Sequence, residues 1–497
     1  MLTRLRVHGF KNLVNADIRF GPFTCIAGAN GVGKSNLFDA ITFLSALADR
    51  PLIDAALSVR DEAGRTTDVR SLFFRTGTQY TEEMAFEAEM IVPMVGLDDL
   101  GQEARASSTF LRYTVKLAHR TDDSLRSLGS LELLKEELVQ VGARESDPLP
   151  FPHDRAWRKS AVKRRGSLSP FIATEGMGSQ RVIKQYQEGR QGRPLTRPAV
   201  NLPRTVLSVA NAAENPTTLL ARNELRSWRL LQLEPSSLRR PDEFTAPTKL
   251  SADGAHLAAA LYHLARTAAR SAPGGIAPDE AETAVYARVA NRLADLIDDV
   301  YGVSIDLDEK RELLTLLVTG NDRTAHPARA LSDGTLRFLA LSVLAEEPDA
   351  HGLLCLEEPE NGIHPARIPA MLRLLQDLTT DVTEPVGPDN PLRQVIVNTH
   401  SPSVVKQVPE DSLVVAELGT VVRDNRAYKN CVRFRGLADT WRQKASQEPG
   451  VPLGTLLAYL SPDEPAQNGE SPDGMEPRRV MDRKEIQPLL FPRSANA

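Results

Sequence analysis

The stretch Phe23-Thr24-Cys25-Ile26-Ala27, followed by Gly28-Ala29-Asn30-Gly31-Val32-Gly33-Lys34-Ser35, constrains this chain more than any other part of it. The apolar pentapeptide reads as a buried strand, and the periodic apolar positions over 35–47 read as a helix. The turn between them matches GxxxxGK[ST], whose glycines let backbone N–H groups wrap phosphate oxygens while the helix N-terminus adds positive potential. Lys34 is then expected on the phosphates and Ser35 on Mg²⁺, with Gly28, Asn30, Gly31, Gly33 and Asn36 around them. Strand, phosphate loop and helix in this order call for an α/β fold.

The rest of the chain can supply such a fold. Leu2–His8 and residues 16–20 alternate as short strands, and 83–92, 109–117 and 131–141, separated by polar turns, predict an antiparallel β meander beside the main sheet. Residues 1–141 thus form the N-terminal lobe of a head domain. The segment 142–216 changes character: 151–200 holds 11 Lys or Arg against three acids, with weak periodicity, which predicts a basic and partly flexible insert. Its cluster of Arg155, Arg158, Lys159, Lys163, Arg164 and Arg165 could track a nucleic-acid backbone with Trp157 available for stacking, although a solvated loop has the same composition. Helical periodicity over 217–233 and 250–300 predicts a helical subdomain at 217–302. A strand pair at 303–318, helices at 334–345 and 365–378, and strands at 353–356 and 394–398 make up a C-terminal lobe at 303–410. A small extension is expected at 411–460. The remainder, 461–497, reads as a disordered linker ending in a candidate docking tail at 480–491.

Many folds carry a phosphate loop, so the downstream segments must choose among them. Leu331-Ser332-Asp333-Gly334-Thr335 is a Ser-x-Gly turn opening a helix. Leu353-Leu354-Cys355-Leu356-Glu357-Glu358 is an apolar strand ending in paired carboxylates. One such acid can orient the water shell of a metal and the next polarise the attacking water, which gives Glu357 to Mg²⁺ and Glu358 to general-base work. Val395-Ile396-Val397-Asn398-Thr399-His400 is a strand ending at a histidine, at the sheet edge where ligands gather, and His400 reads as a sensor of the γ-phosphate.

These blocks resemble the ABC/SMC-like AAA ATPases, a family that includes RecF-like proteins, the ATPase halves of overcoming-lysogenization-defect nucleases and the Septu antiphage ATPases. Glu357-Glu358-Pro359-Glu360-Asn361-Gly362-Ile363-His364-Pro365 is similar to that family's Walker B and D-loop region. The Ser332 turn is similar to its signature loop, with Asp333 and Thr335 in place of the usual Gly and Gln, and Asp253-Gly254-Ala255-His256-Leu257 to its helical entry. The resemblance covers 1–140 and 205–405. It implies a P-loop NTPase fold of ABC/SMC type with a mixed sheet, a meander and a helical subdomain. It also implies catalysis by Glu358, His400 and Lys34 in a head-to-tail homodimer that sandwiches ATP between the phosphate loop of one copy and Ser332 and Gly334 of the other. Gln79 takes the place of the family's Q-loop and Lys11 its early basic position, with an exposed loop glutamine and a surface lysine as the alternatives.

A formal charge of -5 and a pI near 6.1 exclude a globally basic nucleic-acid binder, so any DNA contact must be local. Cys25, Cys355 and Cys431 are too widely spaced for a zinc site or a disulfide framework. Arg4 and Arg6 interrupt what a signal peptide would need, and no window is long enough to cross a membrane, so a cytoplasmic location is expected. Only 97 residues follow His400, without the strand and clustered acids of a TOPRIM domain, which argues against a self-contained nuclease. The 298 positions from Lys34 to Ser332 exceed the spacing of a transporter's nucleotide-binding subunit. The expected function is an ATP-binding and hydrolysing sensor or motor subunit, acting on DNA or on a separate effector such as a nuclease, in antiphage defence or DNA repair.

Overall fold

The computed structural model describes residues 1–59, 68–120, 130–142, 149–164, 166, 169–188, 193–271, 277–347, 351–423, 426–446, 448–452 and 454–455. At its centre is a six-stranded sheet in the order Arg229–Leu231, Gly352–Glu357, Arg393–Thr399, Phe23–Ala27, Leu413–Arg423, Arg426–Gly436. The first five strands are parallel and the last is antiparallel. Side chains of a strand alternate between faces, so a sheet covered on both sides must be apolar at every position. Ile26, Leu353, Cys355 and Ile396 accordingly enter one core, while Cys25, Ala27, Leu354, Leu356 and Val395 enter the other. That is why 353–356 and 395–397 read as unbroken apolar runs.

Over the first face lies an eight-stranded antiparallel sheet that contains Leu2–His8, Glu83–Ile91, Phe110–Arg120 and Ser130–Gln140. The helix Lys34–Leu47 shares its core, where the rings of Phe10, Phe43 and Phe86 meet at centroid distances of 5.3 to 6.0 Å. The second face is covered by helices Leu257–Arg270, Pro278–Ala294, Asp333–Glu346 and Ile368–Asp377 and by the strand pair Gly302–Asp308 and Leu313–Thr319. The fold thus has the mixed sheet, the antiparallel meander and the helical subdomain that the sequence predicted. Among the described residues no helix is long and apolar enough to cross a membrane.

Three expected boundaries need correction. The basic segment 142–216 is not a flexible insert where it is described: Ile172–Glu175, Val182–Gln185 and Leu195–Pro198 extend the antiparallel sheet, and Arg155–Ala161 is a helix. Its strands are short, and outward residues such as Lys184 mask the alternation that buries Ile183 and Gln185. Trp157 is 0 % exposed, packed against the rings of Phe151 and His153 at 5.6 and 5.5 Å, and so cannot stack on a base. Arg155 and Lys159 remain exposed, and Arg165 lies outside the described residues.

The second correction concerns 217–233, whose helix stops at Arg226 and is followed by the edge strand of the central sheet. Three residues are too few to show a period of two. The third concerns 411–436, which is no appended extension: Leu413–Arg423 pairs directly with Phe23–Ala27. The expected tail, 461–497, lies outside the described residues.

Replacing Trp157 by Ala should cost about 3–5 kcal/mol of stability, as for other large buried aromatics, measured by denaturant unfolding. A loss near zero would return Trp157 to the surface. A second test uses Glu136, which is fully buried and accepts the backbone N–H groups of Val206 at 2.7 Å and Leu207 at 2.8 Å. Burial outweighs these bonds and pushes its carboxyl up to about 7 from an ordinary 4.5. The folded state therefore holds this proton more tightly than the unfolded chain, so the contribution is full below pH 4.5 and is lost as pH rises through about 7. Stability of the wild type relative to Glu136→Gln should fall across that window in denaturant titrations at either end of it.

Candidate nucleotide site

The loop Gly28–Gly33 leaves the carboxyl end of Phe23–Ala27, and the register of the sheet brings two other strand ends level with it. Ala27 pairs with Thr399, and Glu357 pairs with Asn398. Between them opens a cavity of about 600 Å³ whose lining includes Asn30, Gly31, Gly33, Lys34, Ser35 and Asn36 from the loop and Glu357 and Glu358 from the neighbouring strand.

Local conformation sets each group. Gly33 has φ 107, and a Cβ there would collide with the side-chain amide of Asn12, which donates from Nδ2 to Val32 O at 2.9 Å. Only glycine suits that position. Lys34 is nearly buried and donates to the carbonyls of Gly28 at 2.6 Å and Ala29 at 2.9 Å. Burial pulls its ammonium below the usual lysine value, while the carboxylates of Glu358, Glu360 and Glu357 push it back up. Glu358 has a positive φ of 46, uncommon for a residue with a Cβ, and its N–H donates to Asn398 O at 3.0 Å. That turn aims its carboxylate outward, where His400 Nδ1 meets Oε1 at 2.7 Å and Asn361 Nδ2 donates to Oε2 at 2.8 Å. Glu357 accepts from Gln232 Nε2 at 3.0 Å.

Lys34, Ser35, Asn36, Asn30, Gly31, Gly33, Glu357 and Glu358 therefore share one cavity, and His400 reaches it through Glu358. Gly28 lies beneath the loop and supplies a carbonyl. Lys11 also lines the cavity, paired with Asp39 at 2.7 Å. Ser332 and Gly334 do not line it. Ser332 is exposed and caps the helix Asp333–Glu346 by accepting from Thr335 N–H at 3.2 Å. Gln79 sits exposed on the small hairpin of Arg75–Thr76 and Gln79–Tyr80, outside the cavity lining. Like Ser332 and Gly334, it does not line the cavity of its own chain. Sequence reasoning gave no site role to Asn12, Gln232, Arg337, Asn361 or Asn398, although Asn361 and Asn398 stand inside the carboxylate and histidine segments it singled out.

A loop N–H cradle, a lysine and a serine beside a carboxylate suit a triphosphate with a hard cation held by few protein oxygens. The comparisons with known proteins agree with the geometry. Residues 178–406 match the family described as "AAA domain, putative AbiEii toxin, Type IV TA system", and residues 4–63 match a second AAA domain. Two stretches of the chain are thus similar to AAA domains. The chain is 46% identical over 46 residues to the DNA replication and repair protein RecF of Porphyromonas gingivalis, which covers 9% of this chain and 13% of that one. RecF of Phocaeicola vulgatus is 44% identical over 46 residues, 9% of this chain and 12% of that protein. The match thus spans about an eighth of these relatives' length. Among solved structures, an SMC head bound to the C-winged helix domain of ScpA superposes with TM-score 0.44 at 13% identity, over 90% of this chain and 99% of that one. The SMC head domain from Thermotoga maritima superposes with TM-score 0.36 at 11% identity, over 88% and 98%.

The collision between a Gly33 Cβ and Asn12 yields a sharp test of the cavity. Gly33→Ala should weaken binding of a fluorescent ATP analogue by about tenfold or more, roughly 1.4 kcal/mol, through strain at the positive φ and displacement of Asn12. Unchanged affinity in a folded variant would remove the cavity from consideration.

Proposed function

We propose that the chain is an ATP-hydrolysing subunit that works as a homodimer. The observation that carries this reading is the clamp on Glu358, held between His400 and Asn361 at the mouth of the phosphate-loop cavity. A carboxylate fixed by two hydrogen bonds beside a triphosphate site can orient a water molecule and take its proton during in-line attack on the γ-phosphate. His400 shares that carboxylate and can donate toward the charge developing on the phosphate. Lys34 and the loop N–H groups hold the phosphates, and Ser35 and Glu357 would hold Mg²⁺, which neutralises developing charge on the phosphate oxygens.

Dimerisation is supported by Ser332. It sits at the start of a helix, it is exposed, and it does not line its own cavity. A serine hydroxyl and helix N-terminus offered to solvent fit the open side of a second copy's phosphate cage. The biological setting rests on kinship. The relatives named for DNA replication and repair, and the family model named for a putative toxin of a toxin–antitoxin system, support a role as sensor or motor for DNA or for a separate effector in phage defence or repair.

Glu358→Gln should lower the ATP turnover rate by about 10²-fold or more, the usual worth of a general base. With ATP present it should also run as a dimer on size exclusion, because the nucleotide persists between the copies. Equal turnover in wild type and variant would overturn the hydrolytic reading, and a monomer with ATP bound would overturn the dimer.

A further inference from the structure

The register of Gly352–Glu357 on Arg393–Thr399 ends at Glu357 and Asn398, yet the two segments stay joined beyond it by the backbone bond from Glu358 N–H to Asn398 O and by side chains. Asn398 Oδ1 lies 3.2 Å from the Glu358 N–H, and His400 meets the Glu358 carboxylate. One more link completes the set. The Thr399 hydroxyl donates to Glu360 Oε1, and the same hydroxyl oxygen accepts the Ser401 N–H at 2.9 Å. His400 is thus flanked by Thr399, which is bonded to Glu360, and by Ser401, which is bonded to Thr399.

Glu360 is costly where it stands. It is 6% exposed, and its Oε2 is buried with no hydrogen-bond partner among the described residues. A buried carboxyl oxygen without a donor destabilises a fold, and burial raises this carboxyl above its ordinary range. An apolar residue would pack there at lower cost, but it would leave the Thr399 hydroxyl without its acceptor.

We propose that Glu360 is a positioning residue for ATP hydrolysis, fixing the backbone around His400 through Thr399 so that His400 stays in hydrogen-bond contact with Glu358. The proposal rests on the hydrolytic reading of Glu358. Displacement of a reacting group by one ångström can cost a rate on the order of 10²-fold. A partial loosening of His400 should therefore show in kcat. It should leave ATP affinity nearly alone, since Glu360 does not line the cavity.

The test measures kcat, KM and binding of a fluorescent ATP analogue for Glu360→Ala, Glu360→Gln, Thr399→Val and Thr399→Ser, with thermal unfolding of each. Glu360→Ala and Thr399→Val should each lower kcat by roughly tenfold with KM within about twofold. Glu360→Gln and Thr399→Ser keep the acceptor and the donor and should restore most of the rate. The double variant Glu360→Ala/Thr399→Val should be no slower than the slower single, because both break one bond. Additive losses, a loss expressed in KM, or a Gln variant as slow as the Ala variant would each overturn the proposal. Should Glu360→Ala fail to fold, the Thr399→Ser and Thr399→Val pair decides alone. Failure of the hydrolytic reading looks different, because wild type and Glu358→Gln would then turn over ATP equally.

Discussion

Every group at the nucleotide face takes its place from the parallel register of Gly352–Glu357 on Arg393–Thr399 and of the latter on Phe23–Ala27. Side chains in a strand alternate with period two, so a slip of one residue would turn Glu358 and His400 to opposite faces of the sheet. Both faces of these strands are apolar, so the close packing of differently shaped side chains in the two cores, and not hydrophobicity alone, holds the register. Strand order matters as well. The histidine-bearing strand lies between the phosphate-loop strand and the carboxylate strand, and His400 reaches the cavity they share through Glu358. Stability of the two cores and placement of the chemistry are thus the same constraint.

The electrostatics of the cavity follow from that placement. Three carboxylates, Glu357, Glu358 and Glu360, act on one lysine whose burial alone would weaken its hold on a proton. Their field offsets part of that loss. Glu357 and Glu358, which line the cavity, repel a triphosphate, so affinity depends on groups that offset them: the loop N–H groups, the helix N-terminus and Lys34 itself. Lys34 now spends two hydrogen bonds on neutral carbonyls of Gly28 and Ala29. Exchanging these for anionic phosphate oxygens trades neutral bonds for charge-assisted ones, which are roughly twice as strong.

What the sequence made legible was whatever lies in a contiguous run. The loop 28–35, the strand ends at Glu357 and His400 and the turn at Ser332 each carry their pattern within a few residues, and the structure gives each a position on the site or beside it. Asn12 and Gln232 reach the site from distant stretches, and nothing local marks a single polar residue as adjacent to a cavity. The edge strand Arg229–Leu231 is too short for periodicity, and it is a strand because Leu354–Leu356 offers it a partner. Trp157 misled for a related reason: its basic neighbours Arg158 and Lys159 suggest a surface, but a seven-residue helix has two faces, and the indole is on the inner one. Tertiary partners decide these positions, and composition does not report them.

The Ser332 loop and the carboxylate turn are joined by contacts with little freedom to adjust. Gly334 and Gly362 meet backbone to backbone, so closely that a Cβ on Gly334 would strike the Gly362 carbonyl. No side chain lies between them to absorb a displacement by changing rotamer, and packed backbone transmits strain. One turn along the same helix, Arg337 donates from Nε to Leu233 O at 3.1 Å and from Nη1 to Asn361 O at 2.5 Å. Asn361 in turn holds Glu358. The exposed serine and the half-buried Glu358 carboxylate are therefore linked through a continuous run of backbone packing and hydrogen bonds, from the loop at residues 332–334 to the turn at 358–362.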